Sequence, residues 1–524
     1  MKWEKLICAE RQQAKEEKPK QFEQFDIDAF DDDFLSIISS QAFRRLQDKT
    51  QVFPLDKSDF VRTRLTHSME VSAIARDLAR MIAQNTSPYL PEDFKKDPAL
   101  GRRAAAIAAC VGLLHDTGNP PFGHYGEEVI RDWFRVKFQD EGFRFRGRPI
   151  GELLRAVDAR MTADFENFEG NAQGLRILSK AGLREGSHDV NLTYAVINTL
   201  IKYPNPSTDF DRKSPDIKRH KVGYYYAERE VMDRVCTATG TKTDAGYVRH
   251  PLVYIMEAAD DIAYATADLA DAVKKGRFTV RAFIEFYEKE LDAVVGKCRA
   301  EELPSSARIA RDQIELLKKA IRDDRTPELA AGKSAFCQTL AHSDTPETEF
   351  TIFENWLERV RMWLMYGAEF TFTKNYESIM EGTYQGDLTE GNNGTDLLRI
   401  LKKAMVTFVF HSQELISLEL SARRIVESLH NDFIHAVKYA DEPDEREHLS
   451  TIDDRFLHMI PDNFKMDYLG AKKQVDARVA EGAQSEEDAE AEKLYLRFLM
   501  VTDFISGMTD SYARNLYRIA NGLD

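Results

Sequence analysis

Two His-Asp dipeptides are the residues of this chain best suited to bind a metal ion, because imidazole and carboxylate together form a hard-to-borderline ligand set. They are His115-Asp116 and His188-Asp189, and about one such pair is expected by chance in a chain with this many histidines. His188-Asp189 lies in a polar Gly/Ser stretch, which makes it the weaker candidate. His115-Asp116 ends an apolar helix and leads into the loop TGNPPFGH, where an ionisable pair emerging from a core needs partners.

The partners of His115-Asp116 are predicted from the neighbouring histidines and from a later acidic helix. The first three histidines of the chain, His67, His115 and His124, all lie between residues 67 and 124. Two histidines and one aspartate leave a metal shell incomplete without a second carboxylate. Asp260 supplies one, because its helix is apolar enough to be mostly buried, whereas Asp261 is rotated by about 100°. The alternative for this helix is a solvated acidic face.

The composition indicates that mostly helices position these residues. The chain has 524 residues, a formal charge of −16, and only 27 Gly and 17 Pro, which disfavours a turn-rich β protein.

The acidic balance argues against a protein that coats nucleic acid or membrane through its bulk charge. Five scattered cysteines without a CxxC pair suit a reducing compartment. The N-terminus lacks the apolar core of a signal peptide, and the longest apolar stretch, 104–114, is too short to span a bilayer, so we expect a cytoplasmic protein.

The hydrophobic periodicity predicts one large all-α fold with insertions and little β structure. A helix that ends near Gln84 and another that ends at GLLHDTGNPP carry the first histidines, and a third spans Pro251 to Lys275. The expected organisation is a charged N-terminal segment, a core that carries the metal site, a helical extension that completes the substrate pocket, an acidic linker and a C-terminal helix that packs on the core. These segments cover residues 1–33, 34–280, 281–480, 481–492 and 493–524.

Several longer segments carry a resemblance to known proteins, and they are FRRLQDKTQVF, RTRLTHSMEV, GLLHDTGNPPFGHYGE, NFEGNAQGLRIL, LIKYP, YIMEAADDIAYATADLADA and SGMTDSYA. In these segments the chain resembles one family, the deoxyguanosinetriphosphate triphosphohydrolases of the HD superfamily of metal-dependent phosphohydrolases. The resemblance implies an HD-domain helical fold and hydrolysis of a deoxynucleoside triphosphate, dGTP foremost, to deoxynucleoside and triphosphate. It also implies one divalent metal, Mg²⁺ or Mn²⁺, per site, and a homo-oligomer, with a hexamer as one form. It is compatible with single-stranded DNA or a nucleotide as an effector.

The resemblance also implies roles for the residues around the dipeptide. The metal ligands would be His67, His115, Asp116 and Asp260. His124 and Glu127 would be catalytic, and their i, i+3 spacing at a helix start would let the carboxylate orient the imidazole for proton transfer.

The remaining implied residues would bind the substrate. Arg64, Lys202, Tyr203 and Arg424 would meet the phosphates, with Arg423 as the alternative to its neighbour. Tyr264 and Asp268, at i+4 and i+8 from Asp260, would pack and hold the deoxyribose, and Gln51 would reach the base. Asn171 and Gln173 belong to the same pattern, which does not distinguish a catalytic role from a structural one.

Two other functions remain open at the level of the sequence. Another HD phosphohydrolase, such as a nucleotidase or a phosphodiesterase, would explain the metal ligands but not the FEGNAQ, LIKYP and SGMTD segments. A non-catalytic nucleotide- or DNA-sensing protein would use basic, aromatic stretches such as FRFRGR and IKRHKVGYYY for phosphate contacts and base stacking.

Overall fold

The fold is all-α, as predicted, with only two short antiparallel hairpins among the residues that the structure describes. The computed structural model describes residues 1–13, 28–53, 60–85, 91–181, 190–296, 303–323, 346–409, 413–440 and 450–523. Its helices are α1 Trp3–Leu6, α2 Ala29–Ser39, α3 Gln41–Arg45, α4 Arg64–Gln84, α5 Glu92–Lys96, α6 Pro98–Leu114, α7 Gly123–Gln139, α8 Ile150–Val157, α9 Arg160–Glu166, α10 Gly170–Ala181, α11 Tyr194–Leu200, α12 Arg229–Thr239, α13 Pro251–Ala263, α14 Leu269–Lys274, α15 Val280–Val295, α16 Ser305–Asp323, α17 Pro346–Lys374, α18 Tyr376–Glu381, α19 Thr395–Phe408, α20 Gln413–Val437, α21 Thr451–Met459, α22 Asp462–Ala480, α23 Glu486–Ser506 and α24 Asp510–Ala520. The strands are β1 Arg144–Phe145, β2 Arg148–Pro149, β3 Lys242–Thr243 and β4 Gly246–Tyr247.

Helices α4 and α6 form the central pair that carries the first metal-ligand candidates. A capping box between Thr63 and Thr66 begins α4, and Asp97 caps α6 by accepting from the Ala99 amide at 2.8 Å. The two helices pack backbone to backbone at Gly112. A Cβ there would lie 2.5 Å from Cα of Ser72, so only glycine permits this approach. The ends of both helices are thereby fixed around one point.

The acidic helix predicted from Pro251 to Lys275 is continuous but not uniformly α-helical. Pro251 occupies its first position, and His250 caps it by accepting from the Leu252 amide at 3.2 Å. Residues Tyr264–Asp268 form a π-turn between α13 and α14. A π-turn adds a residue to the helical repeat, so the spacing from Asp260 through Tyr264 to Asp268 crosses from α-helical to π-helical backbone. Turns of this kind often occur at functional sites.

Two hydrophobic cores hold the molecule together. The first is built mainly by α1–α6 and α11–α19, and the second mainly by α7–α9 and α20–α24. The segment expected as one helical extension, 281–480, contributes to both. Its residues up to Val409 pack in the first core, and those from Ala422 pack in the second. Sequence periodicity shows that these helices are amphipathic but not which partner each one covers.

The acidic segment expected as a linker, 481–492, is helical from Glu486 onward, so that prediction is wrong for its second half. Ser485 accepts from the Asp488 amide at 3.1 Å, and acidic residues favour the first turn of a helix. Ala489 and Ala491 are buried. The C-terminal region then contains two helices, α23 and α24, where one was expected. Among the described residues, no helix is both long and apolar enough to cross a membrane.

Candidate active site

Four predicted metal ligands converge where α4, α6 and α13 meet. His67 lies on α4, His115 and Asp116 follow the end of α6, and Asp260 lies on α13. The ligand atoms of His67, His115 and Asp116 all lie within 4.8 Å of one another. Oδ1 of Asp260 is 3.1 Å from Nε2 of His67 and 3.4 Å from Nε2 of His115. The structure therefore brings all four candidates to one point.

The buried nitrogen atoms of this cluster fit a metal site. Nδ1 of His115 lies 2.9 Å from the Gly112 carbonyl, which can only accept, so that Nδ1 carries the proton. The Nε2 atom of His115 is buried and faces the two carboxylates, 3.6 Å from Oδ2 of Asp116 and 3.4 Å from Oδ1 of Asp260. This is the tautomer that a metal-ligating histidine adopts. The site is thus compatible with a divalent cation.

Charge is concentrated in the cluster. Burial favours the neutral forms, yet the Asp260 hydrogen bond and the nearby carboxylates raise the pKa of His67 to about 9. Burial likewise favours neutral Asp116, but Arg64 and His115 hold the pKa of Asp116 well below its usual range. The carboxylates are therefore in the anionic form that metal binding requires.

The two adjacent aspartates of α13 have different environments. Oδ2 of Asp260 accepts from Nζ of Lys202 at 3.3 Å, which joins the predicted phosphate-binding lysine to the metal cluster. Asp261 instead forms an ion pair with Lys402 at 2.8 Å and lies near Thr389. The side chain of Asp261 thus points away from the cluster, as the helix geometry indicated.

Both oxygens of Asp116 have additional donors. Arg64 donates to Oδ2 at 2.6 Å, and Asn119 donates to Oδ1 at 2.6 Å. The Arg64 side chain is 6% exposed. It was expected to meet phosphate, whereas the structure pairs it with a metal-ligand candidate. Asn119 was not singled out from the sequence, although it lies inside the HDTGNPP segment.

His124 and Glu127 lie near the N-terminal end of α7, three residues apart. Nδ1 of His124 is 3.0 Å from Oε2 of Glu127, and the imidazole side chain is 73% exposed. The other oxygen, Oε1, accepts from the Gly170 amide at 2.8 Å. Burial opposes ionisation, but the His124 hydrogen bond lowers the pKa of Glu127 to about 2. The carboxylate therefore holds Nδ1–H and leaves Nε2 of His124 facing outward.

Gln51 and Asp268, the residues predicted to contact the base and the sugar, are hydrogen-bonded to each other. Nε2 of Gln51 donates to Oδ2 of Asp268, the last residue of the π-turn, at 3.3 Å. Asp268 is buried, and burial raises its pKa to about 6. Tyr264 is half-buried at the beginning of the same turn, and Tyr203 is half-buried beside Lys202.

Among the described residues, the other candidates make no hydrogen bond to the residues named above. Arg424 is exposed on α20, and in the described part of the chain no hydrogen bond or ion pair joins it to the other candidates. Arg423 forms an ion pair with Glu427 at 2.8 Å. Gln173 donates to buried Asp503 at 2.9 Å, which is a structural contact. Asn171 donates to Glu169 at 3.0 Å. His188-Asp189 lies outside the described residues.

The basic stretches considered for nucleic-acid binding are largely paired within the chain. In the hairpin FRFRGR, Arg148 forms an ion pair with Glu487, and Arg146 lies 3.6 Å from Glu490. In IKRHKVGYYY, Lys221 donates to buried Glu169 at 3.0 Å. The charge of Lys221 also acts on Glu127, so this lysine belongs to the surroundings of His124. The basic composition of the stretch gave no signal for that role.

The chain is similar to known proteins both in its HD region and over its whole length. The HD domain family model matches residues 64–162, which include His67, His115-Asp116 and His124. Two relatives, from Listeria monocytogenes and Listeria innocua, are each named deoxyguanosinetriphosphate triphosphohydrolase-like protein. Each is 39% identical over 529 residues, with 100% of both chains covered. A deoxyguanosinetriphosphate triphosphohydrolase from Enterobacter sp. is 31% identical over 518 residues, with 93% of both chains covered.

The similarity therefore extends far beyond the HD domain, along the whole chain. It includes the segments that carry Lys202, Asp260 and Asp268, which lie outside residues 64–162. The chain belongs to the deoxyguanosinetriphosphate triphosphohydrolase family of the HD superfamily of metal-dependent phosphohydrolases.

Proposed function

We propose that this protein hydrolyses deoxynucleoside triphosphates, dGTP foremost, to deoxynucleoside and inorganic triphosphate. The observation that carries the proposal is that four metal-ligand candidates converge and that the hydrogen-bonded pair His124–Glu127 lies at the start of the neighbouring helix. The name of the Enterobacter relative supplies the substrate class. We further propose Mg²⁺ or Mn²⁺ as the metal, a homo-oligomeric assembly and a cytoplasmic location.

His67, His115, Asp116 and Asp260 would hold the metal. A divalent cation bound there supplies Lewis-acid polarisation of a phosphoryl oxygen and increases the acidity of water. Lys202, 3.3 Å from Asp260, would place its ammonium beside the α-phosphate, and Tyr203 would line the phosphate path. Arg64 would act by holding Asp116 rather than by direct phosphate contact.

His124 would transfer the proton at the scissile bond between the α-phosphorus and the 5′ oxygen. Glu127 fixes Nδ1–H, so Nε2 is the atom that exchanges a proton with the reacting groups. Because the imidazole is mostly exposed while its partner carboxylate is buried, the ring is oriented and still accessible to substrate. We also propose Arg424, which is exposed in the single chain, as a phosphate ligand.

Tyr264 and Asp268 would select the deoxyribose. Asp268 would bond the 3′-OH, and Gln51, which already contacts Asp268, would reach toward the base. Tyr264 would stand against C2′, where a ribose hydroxyl would clash.

The test is an assay of triphosphate release from each dNTP and from GTP, with Mg²⁺ or Mn²⁺, for wild type and Tyr264→Ala. We expect intact triphosphate from dGTP, a much lower kcat/KM for GTP, and a smaller dGTP/GTP ratio in the variant. Release of pyrophosphate plus monophosphate would contradict attack at the α-phosphorus, and an unchanged ratio would contradict the role of Tyr264. Cleavage of only monophosphates or cyclic nucleotides would favour another HD phosphohydrolase.

A further inference from the structure

The SGMTD segment near the C-terminus contains a buried carboxylate that the proposed chemistry does not use. Asp510, the first residue of α24, is 2% exposed. Its Oδ1 accepts from the Phe122 amide at 2.9 Å. Its Oδ2 accepts from the Thr50 amide at 3.1 Å and from the Thr50 hydroxyl. All three donors belong to segments that border the candidate active site.

Phe122 has a backbone conformation that a phenylalanine rarely adopts. Its φ is 63° and its ψ is 18°, in the left-handed region, and it directly precedes α7. Left-handed backbone is unfavourable for residues with a Cβ, so it persists only where the surroundings enforce it. The Asp510 carboxylate holds the Phe122 amide in this conformation.

This turn positions His124, the second residue of α7. Gly123, between Phe122 and His124, is also left-handed, with φ 59°. A Cβ on Gly123 would lie 2.6 Å from Nη2 of Arg64, so the turn packs directly against the guanidinium that holds Asp116. A shift of the turn would therefore move His124 relative to the metal cluster.

The second oxygen of Asp510 extends this effect to the opposite side of the site. Thr50 directly precedes Gln51, whose amide donates to Asp268. The rest of the SGMTD segment is attached to the same stretch, since Lys49 donates to the Ser506 carbonyl at 2.9 Å. One carboxylate therefore joins the His124 turn to the Gln51 segment.

We propose that Asp510 is a positioning residue, which holds the left-handed turn that orients His124 and fixes Thr50 beside Gln51. The catalytic part of this inference rests on the proposed function. Asp510→Asn is the direct test, because the amide must direct its NH₂ group at either the Phe122 or the Thr50 donors. Thr50→Val is a milder second variant that removes one of the three donors. Thr509→Ala is the matched control. It removes the cap that accepts from the Tyr512 amide and leaves Phe122 and Thr50 untouched.

The first measurement needs no substrate. Hydrogen exchange followed by mass spectrometry should show faster exchange in the peptide containing Phe122 in Asp510→Asn, but not in Thr509→Ala. Equal exchange in wild type and Asp510→Asn would overturn the proposal. This arm stands even if the wild type hydrolyses no dNTP, an outcome that would reject the proposed function alone.

The second measurement is a double-mutant cycle in kcat with His124→Ala, with Mn²⁺ binding followed by calorimetry. A misplacement of about 1 Å lowers rates by as much as about 10²-fold, so we expect a loss of at least tenfold in Asp510→Asn with Mn²⁺ binding retained. In the His124→Ala background the same substitution should change kcat less than about twofold, because the group it positions is gone. Equal factors in both backgrounds, or an equal loss in Thr509→Ala, would show a merely structural role.

Discussion

At the residue scale, the two adjacent aspartates of α13 allow a matched test of the metal site. Asp260→Ala or His115→Ala should abolish metal retention, because each removes a predicted ligand, while the helical fold remains. Asp261→Ala should retain metal, since Asp261 pairs with Lys402 outside the cluster. Metal content after gel filtration measures this. Equal loss in the two aspartate variants would show that the wrong carboxylate has been chosen.

His124 can be separated from the metal ligands by a second residue-scale prediction. His124→Ala should lose about 10²–10⁴-fold in kcat, the usual contribution of a general acid or base. It should still bind metal and dNTP, because the His124 side chain hydrogen-bonds Glu127 and none of the four metal-ligand candidates among the described residues. The control is Glu128→Gln. It changes an exposed carboxylate directly after Glu127 and should keep wild-type kcat. An empty metal site in His124→Ala would place the imidazole among the ligands instead.

Residue types and spacing predicted the members of this site better than their contacts. His67, His115, Asp116 and Asp260 could be selected because metal chemistry restricts ligands to few side chains. The Asp116 contact of Arg64 could not be predicted, because a guanidinium suits phosphate and carboxylate equally and only the fold brings Asp116 to 2.6 Å from it.

At the scale of elements, Gly170 at the start of α10 lies between the partner of Asp116 and the partner of His124. A Cβ on Gly170 would lie 2.2 Å from Oδ1 of Asn119 and 2.7 Å from Oε1 of Glu127. Gly170→Ala should therefore displace the partners of Asp116 and His124 together, and lower kcat by about 10²-fold, as small misplacements do. Gly174→Ala, one turn onward with its nearest neighbour at 3.7 Å, should be tolerated. Matching kcat in both variants would contradict this packing argument.

Helix periodicity predicted α4, α6 and α13 but not their irregular parts. The π-turn at Tyr264–Asp268 leaves no mark in the apolar pattern, since its residues are as buried as those of a regular helix. The helical start of α23 was missed for the opposite reason. Its glutamates resemble a solvated linker, and only the fold supplies the Arg148 that pairs with Glu487.

At the scale of the whole molecule, a buried charge network connects distant segments. Arg176 donates to Asp503 through Nε at 2.7 Å and Nη2 at 2.9 Å, and Lys180 adds a contact at 2.6 Å. Asp503→Asn should lower the free energy of unfolding by about 3–5 kcal/mol, because it leaves buried cations without their partner. Asp462→Asn, at a carboxylate that is 95% exposed, should change it by less than about 0.5 kcal/mol. Urea titrations at pH 7 measure the free energy of unfolding of both variants. An Asp503→Asn variant as stable as wild type would show that this network does not contribute to stability.

The same network predicts how stability depends on pH. Burial opposes ionisation, but Arg176 and Lys180 lower the pKa of Asp503 to about 2. A depressed folded-state pKa stabilises the protein above the unfolded value, about 4, and the stabilisation is lost as the pH falls toward 2. The difference between wild type and Asp503→Asn should therefore be constant above pH 5 and shrink below pH 4. A difference that stays constant to pH 3 would contradict the assignment.

The contacts of Asp510 have a consequence for the order in which the protein can be made. Its partners Phe122 and Thr50 lie 388 and 460 residues earlier in the chain, so they leave the ribosome long before it. Contacts at such separation form late, after most of the chain has collapsed. A nascent chain that has passed residue 270 already contains the four metal-ligand candidates and the π-turn at Tyr264–Asp268, yet lacks the carboxylate that holds the Phe122 amide. Under the proposed function, metal binding and turnover would thus be acquired at different stages of synthesis.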